Sequence, residues 1–316
     1  MAKKLTNLAA SIRERLLQHA RVTGEDFQLV LTEFANERFL YRLGASAYRD
    51  HFILKGATLF TLWEGHLHRP TRDLDLLGAG SSKVEDVVAV CKAICSLQVE
   101  VKDGIVFDLA SVHGMRIRED ADYEGVRVQL RAELAGARIP VQIDIGFGDA
   151  VEPGGQLVHF PVLLPMERPL IRAYPKETAI AEKLHAMVIL DMANSRMKDF
   201  HDIWFMSTHW SFNLGTLRAA ITSTFERRNT PMPAQLPTAL TAAFLTAPEK
   251  QAQWRAFRRR LGEESSLLDL SGVGAAIQCF IGPVILASVT ITDAAVWEPG
   301  SGWIGGGGIS YESAES

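Results

Sequence analysis

The amino-acid sequence predicts an α+β protein with a mixed β-sheet in its first half and a helical second half. Residues 126–134 and 139–145 alternate between apolar and polar side chains, which is typical of half-buried strands. Residues 5–20, 25–43 and 177–190 instead repeat their apolar side chains at helical spacing. A chain of 316 residues is long enough for one or two domains, so this change of pattern indicates a border between a sheet-bearing part and a helical part.

Prolines concentrate where the two patterns meet, between residues 161 and 175. We therefore expect a first domain, which begins with two helices, at residues 1–165 and a helical lobe at residues 166–303. Residues 304–316 include a run of glycines and are expected to form a flexible tail.

Composition excludes several classes of protein. Lys and Arg number 33 against 37 Asp and Glu, a net charge of -4, which argues against an obligate nucleic-acid coat protein but not against a local basic groove. The sparse cysteines, Cys91, Cys95 and Cys279, do not suggest a disulfide framework and fit a reducing compartment. The most apolar run, residues 279–289, is shorter than the ~20 residues that span a bilayer. We expect a cytoplasmic protein without a membrane partner.

The first candidate site is the pair Asp73 and Asp75, which lies in a run of leucines that reads as a strand. Because residues i and i+2 share one face of a strand, both carboxylates point the same way, while Leu74 and Leu76 point into the core. Two carboxylates at one open point favour a divalent-metal site for phosphate chemistry. The alternative is a solvated strand edge, and the pair alone does not decide between the two.

The second candidate is the turn between a short strand at residues 51–54 and the helix that follows it. The turn residues are Lys55, Gly56, Ala57 and Thr58. Backbone N–H groups at the start of a helix bind anions, so Gly56 would let a phosphate approach the backbone. Thr58 would add a hydroxyl group and Lys55 a positive charge. The alternative is an ordinary strand–helix turn.

The loop before Asp73 contributes Arg69, Thr71 and Arg72. Two arginines beside an acid pair suit the binding of a triphosphate. The alternative is that they only neutralise the two aspartates.

A third acid lies on the alternating strand at residues 139–145. Ile143 and Ile145 share one face of this strand, and Gln142 and Asp144 share the other. Asp144 is therefore either a solvent-facing edge residue or the third carboxylate of the Asp73 and Asp75 site.

The helical half adds a lysine and two more acids. Lys183 lies beside the buried stripe of its helix, where a long cation can reach into a cleft, although a plain surface lysine is the alternative. The next helix opens with Lys198, Asp199 and Asp202, and its two acids share one helix face. Their alternative role is stabilisation of the helix N-terminus.

Basic residues of the second half form a candidate RNA surface. Trp254 and Phe257 lie among arginines, and such a mixture can hold an RNA backbone. The alternative is a solvated helix face with two core aromatic residues. The basic residues are Arg227, Arg228, Arg255, Arg258, Arg259 and Arg260.

In this order, the segments resemble the AbiEii/AbiGii family of nucleotidyltransferase toxins. The resemblance covers roughly residues 30 to 303, and its strength lies in the order of several individually weak motifs. The matching segments are FILKGATLF (52–60), RPTRDLDLLG (69–78), VQIDIGFGD (141–149), AIAEKLHAM (179–187), RMKDFHDIW (196–204), FIGPV (280–284) and AVWEPGSGW (295–303).

The resemblance implies a DNA polymerase β-like nucleotidyltransferase core with a mixed sheet, followed by a helical C-terminal lobe. It implies that Asp73, Asp75 and Asp144 hold Mg²⁺ (or Mn²⁺), and that Asp144 also helps to deprotonate the attacking hydroxyl group. The nucleotide-binding residues that it implies are Lys55, Gly56, Ala57, Thr58, Arg69, Thr71, Arg72 and Lys198.

The same resemblance gives roles to the residues of the helical lobe. Lys183 would neutralise charge on the triphosphate as pyrophosphate leaves. Asp199 or Asp202 matches the last acidic motif of the family and would hold Lys183 or contact the base and sugar.

The resemblance also implies partners. Studied relatives transfer nucleotides to the 3′ end of tRNA, which blocks aminoacylation, so an NTP, tRNA and a cognate antitoxin are the expected partners. Two positions depart from the family pattern: Ala57 replaces a second glycine and Thr71 replaces a serine. Because an antitoxin kinase phosphorylates that serine in some relatives, Thr71 is a candidate regulatory site.

Two other functions stay open at this point. The protein could transfer a nucleotide to a protein hydroxyl group, or it could be a binding module that keeps the fold without catalysis. The presence of Asp73, Asp75, Asp144 and Lys183 argues against the second of these.

Overall fold

The computed structural model builds the first half of the chain around a mixed β-sheet. The described residues are 2–65, 71–120, 123–262, 268–286, 289–305 and 310–311. The chain divides into two units, one of Met1–Asp149 with Gly155–Tyr174 and one of Ala150–Gly154 with Pro175–Ser316. The first unit extends beyond residue 165, because a strand at Leu170–Ala173 belongs to its sheet.

The first unit combines four α-helices and seven strands among the described residues. The helices are α1 (Ala2–Thr23), α2 (Phe27–Ala45), α3 (Thr58–Glu64) and α4 (Val84–Ser96). The strands are β1 (Phe52–Lys55), β2 (Asp73–Gly78), β3 (Val106–Asp120), β4 (Tyr123–Leu134), β5 (Ala137–Phe147), β6 (Gln156–His159) and β7 (Leu170–Ala173). Their order is β3-β4-β5-β2-β1-β7-β6. Strand β2 runs parallel to β5 and β1 parallel to β7, while the other neighbours are antiparallel, so the predicted mixed sheet is confirmed.

The apolar residues of β2 and β5 decide which face of the sheet is buried. Leu74, Leu76, Ile143 and Ile145 are each at most 1% exposed, and α2 packs on β5. Each such side chain contributes ~1.5–3 kcal/mol when it is fully buried. A slip of one residue would turn all of them to the other face, so the hydrophobic pattern fixes the register of the polar residues between them.

The second unit is mainly helical, as predicted. Its helices are α5 (Lys176–Leu190), α6 (Met197–His209), α7 (Leu214–Arg227), α8 (Ala242–Leu245), α9 (Pro248–Leu261) and α10 (Leu270–Ile285). Its strands are β8 (Phe212–Asn213), β9 (Val289–Thr290), β10 (Val296–Glu298), β11 (Gly302–Ile304) and β12 (Ser310–Tyr311). Strands β11, β10 and β8 form a small antiparallel sheet that the sequence analysis missed, because strands of two or three residues leave no measurable alternation.

Two tryptophans anchor this small sheet. Trp297 donates its indole N–H to the carbonyl of Ser207 at 2.6 Å, and Trp303 donates to the carbonyl of Phe280 at 2.9 Å. Both rings are buried, so the closing segment of the chain belongs to the core of the second unit.

Among the described residues, no helix combines the length and the apolar character that crossing a membrane requires.

A buried ion pair of the first unit gives a test of its packing. Arg42 donates to both carboxylate oxygens of Asp103, at 2.6 and 3.1 Å, and both residues are at most 5% exposed. We expect Asp103→Ala to lower the free energy of unfolding by about 3–5 kcal/mol, because it leaves a guanidinium buried without its carboxylate. Asp108→Ala removes the exposed partner of Arg131 and should cost no more than about 1 kcal/mol. Urea unfolding followed by circular dichroism measures both, and equal losses would contradict the prediction.

Candidate active site

The three acids singled out in the sequence lie on adjacent strands of the first unit. In the parallel pair of β2 and β5, Asp73 lies opposite Gln142 and Asp75 opposite Asp144. All three acids alternate with leucines or isoleucines that are buried on the helix-covered face. The carboxylates therefore share the other face of the sheet, and we call Asp73, Asp75 and Asp144 the acidic face.

Gly56 packs directly against this acidic face. Its φ is +73°, and a Cβ atom built on it would lie 1.9 Å from Oδ2 of Asp75. No side chain fits in that space, and an L-residue is strained at that φ. Ala57 is buried and helical next to it, and Thr58 opens α3 with a buried hydroxyl that has no hydrogen-bond partner among the described residues.

Lys55 is held by an acid that the sequence analysis did not single out. It lies opposite Asp75 in the antiparallel pair of β1 and β2. Its Nζ atom is 3.3 Å from Oδ2 of Asp149, and the two side chains are 7% and 3% exposed. Asp149 follows β5 and is the last residue of the segment VQIDIGFGD, which matches the family pattern. Its place in that segment was the feature of the sequence that could have marked it as a site residue. Lys55 thus brings its charge to this region as part of a buried ion pair.

Arg127 is a second residue that sequence reasoning missed. It lies opposite Asp144 in the antiparallel pair of β4 and β5. Its Nε and Nη2 atoms donate to the two carboxylate oxygens of Asp144 at 2.8 and 2.7 Å. The hydrogen bond with Asp144 raises the pKa of Arg127, and the charges of Asp144, Asp73 and Asp75 add to this effect. A permanent cation therefore lies within the electrostatic reach of all three acids.

The loop residues before the acidic face are described only in part. Thr71 Oγ1 donates to the backbone carbonyl of Asp73 at 3.5 Å, and the side chain of Arg72 is exposed. Arg69 lies outside the described residues.

Lys183 lies in the second unit, where two buried acids hold it. Its Nζ atom donates to Asp199 Oδ1 at 3.2 Å and to Asp202 Oδ2 at 2.7 Å. Both acids are 0% exposed, and Arg196 Nε lies 2.6 Å from Asp199 Oδ2. Because Asp199 and Asp202 are one turn apart on α6, both reach the same lysine of α5. The side chain of Lys198, on the same helix, is exposed.

Not all residues of the predicted basic surface are exposed in the second unit. Arg228 is 7% exposed and lies against Glu182 and His185, so it is not available at the surface. On α9, Trp254 and Phe257 are buried in the core. The exposed arginines of that helix are Arg255, Arg259 and Arg260.

The donor atoms fit a hard divalent cation, because carboxylate oxygens are the ligands that Mg²⁺ prefers. Among the described residues, however, no three His, Cys, Asp or Glu side chains converge as a metal site. Asp144 is turned toward Arg127, which occupies both of its oxygens.

Two solved structures from Helicobacter pylori are similar to this chain. One is a candidate nucleotidyltransferase, with 17% identity and a TM-score of 0.46, and the match covers 80% of this chain and 92% of that one. The other is JHP933, with 15% identity and a TM-score of 0.47, over 80% of this chain and 89% of that one. A search of curated proteins gave no significant match.

The family comparison covers most of the sequence. Residues 38–277 match the model of the family described as nucleotidyl transferase AbiEii toxin, type IV TA system. The chain therefore belongs to the AbiEii family of nucleotidyl transferase toxins of type IV toxin–antitoxin systems.

Proposed function

We propose that this nucleotidyltransferase toxin transfers a nucleoside monophosphate from an NTP to the 3′ end of tRNA. The 3′ oxygen of the acceptor forms a bond to the α-phosphorus, the bond to the β-phosphate oxygen breaks, and pyrophosphate leaves. A tRNA extended in this way could not be aminoacylated, so translation would stop. The observation that supports this proposal best is the acidic face, in which Asp75 lies opposite Asp144 and against Gly56, with Asp73 two residues before Asp75 on the same strand.

In this proposal Asp73, Asp75 and Asp144 hold Mg²⁺ or Mn²⁺. When bound, the cation would stabilise the charge that develops on the attacking and leaving oxygens. Asp144 would also accept the proton of the attacking hydroxyl group.

Other residues bind and orient the triphosphate. Lys183 would neutralise its charge as pyrophosphate leaves. Asp199 and Asp202 are positioning residues in this view, because both are fully buried against Lys183. Further nucleotide contacts would come from Gly56, Ala57, Thr58, Arg69, Thr71, Arg72 and Lys198, with Lys55 contributing charge from its ion pair with Asp149.

The acceptor would meet basic residues of the second unit. Arg255, Arg259 and Arg260 are exposed on α9 and could neutralise RNA phosphates. Since the family is a toxin–antitoxin family, a cognate antitoxin is the other partner, and phosphorylation of Thr71 would be its route of control.

The acceptor is tested by incubating the purified protein with a tRNA pool, Mg²⁺ and each α-³²P-labelled NTP. We expect label at the 3′ end of tRNA. Asp75→Asn should lower the transfer by at least roughly a hundredfold, because it removes one charge from the proposed metal ligands. Asp108→Asn is the control, since Asp108 lies on an exposed part of β3 and pairs with Arg131.

Other results would point to the other functions. Label on a protein instead of RNA would favour modification of a protein hydroxyl group. Equal toxicity of wild type and Asp75→Asn in cells would favour a binding module.

Gly56 gives a second test, which separates backbone strain from contact with the acid. In Gly56→Ala the new methyl group would displace the carboxylate of Asp75, so we expect transfer to fall to the level of Asp75→Asn. The positive φ alone costs about 1–2 kcal/mol of stability. Gly136→Ala shares this strain, with φ +80° and nothing within 4 Å of the added Cβ, and should keep its activity. Similar activities of the two variants would show that the contact with Asp75 does not matter.

A further inference from the structure

We infer that Arg127 is an internal counter-cation of the acidic face, which has to turn away from Asp144 before a divalent ion binds there. The inference rests on the proposed function, in which Asp144 is a metal ligand. Beyond that function, the inference states that metal binding is coupled to a movement of the Arg127 side chain.

The geometry of the pair is the first step. Arg127 uses two N–H groups on the two oxygens of Asp144, an arrangement that is stronger and more directional than a single hydrogen bond. The side chain of Asp144 is 11% exposed and that of Arg127 is 34% exposed. Asp144 is therefore fixed in the wall of the site, while Arg127 has open space into which it can turn.

The charges give the second step. Asp75 and Asp144 lie side by side on one face, and like charges at such positions destabilise a sheet. A guanidinium group keeps its charge at all physiological pH values, so Arg127 offsets this repulsion when no other cation is present. The charges of Asp73 and Asp75 act on the same guanidinium.

Competition follows from these two steps. Each oxygen of Asp144 keeps a lone pair, but a divalent ion at that carboxylate would lie beside a positive guanidinium. Their repulsion weakens binding of the ion until Arg127 moves.

The test measures Mn²⁺ binding without nucleotide, from the electron paramagnetic resonance signal of unbound Mn²⁺. We expect Arg127→Met to lower the Kd for Mn²⁺ roughly tenfold, because the competing charge is gone. Arg131→Met is the matched control: it removes an exposed arginine of the same strand that pairs with Asp108, and should change the Kd by less than about twofold. Circular dichroism checks folding, and Arg127→Gln replaces Arg127→Met if that variant does not fold.

The same measurement in an Asp144→Asn background shows whether the effect passes through Asp144. We expect the gain from Arg127→Met to disappear there. An unchanged or larger Kd for Arg127→Met in the wild-type background would overturn the inference, as would an equal gain in the Asp144→Asn background. If Asp75→Asn and Asp144→Asn both bind Mn²⁺ like wild type, the proposed metal site itself fails. That result can be told apart from a failure of the inference about Arg127, because it is obtained with variants in which Arg127 is unchanged.

Discussion

The candidate site depends on the register of four neighbouring strands. Lys55 on β1, Asp75 on β2, Asp144 on β5 and Arg127 on β4 lie opposite one another in turn, so their charges read positive, negative, negative, positive across the sheet. The register is held from the other face, where leucines and isoleucines of β2 and β5 are buried. A shift of one residue would exchange acids for apolar side chains. Core packing and site chemistry are therefore two consequences of one strand alignment.

The glycine turn is bound to the same alignment by a steric limit. The expected role of Gly56 was to let a phosphate approach the backbone. Its surroundings in the structure add a second constraint, because the carboxylate of Asp75 fills the space where a Cβ would be. The positive φ of Gly56 brings the turn close to Asp75. Only a residue without a side chain permits that approach, so a glycine is required at position 56.

Alternation along single strands put Asp73 and Asp75 on one face of their strand and Asp144 on the polar face of another. It left open whether the three acids meet, and only the resemblance to the family implied that they do. To predict which side chains lie opposite each other on neighbouring strands, the register between those strands is also needed. The alternating pattern predicted strands at residues 126–134 and 139–145, so the second strand was expected to begin two residues later than it does. In the structure only Ala135 and Gly136 separate β4 from β5, both with positive φ, and this two-residue hairpin pairs Arg127 with Asp144. Asp149 was missed for a related reason, since its contact with Lys55 depends on the path of the chain after β5.

Lys55 and Lys183, two lysines proposed from the sequence to act on the triphosphate, are held in similar surroundings. Each ammonium group is largely buried and lies against carboxylates: Lys55 against Asp149, and Lys183 against Asp199 and Asp202. Without such partners, burial would favour the neutral amine and the charge would be lost. The carboxylate partners offset this cost of burial, and they set the position of the ammonium group before any substrate arrives. A fixed cation stabilises a developing negative charge without reorganisation, whereas a mobile surface lysine first has to be ordered. Asp199 and Asp202 both hold Lys183, and the partly exposed Arg196 lies against Asp199.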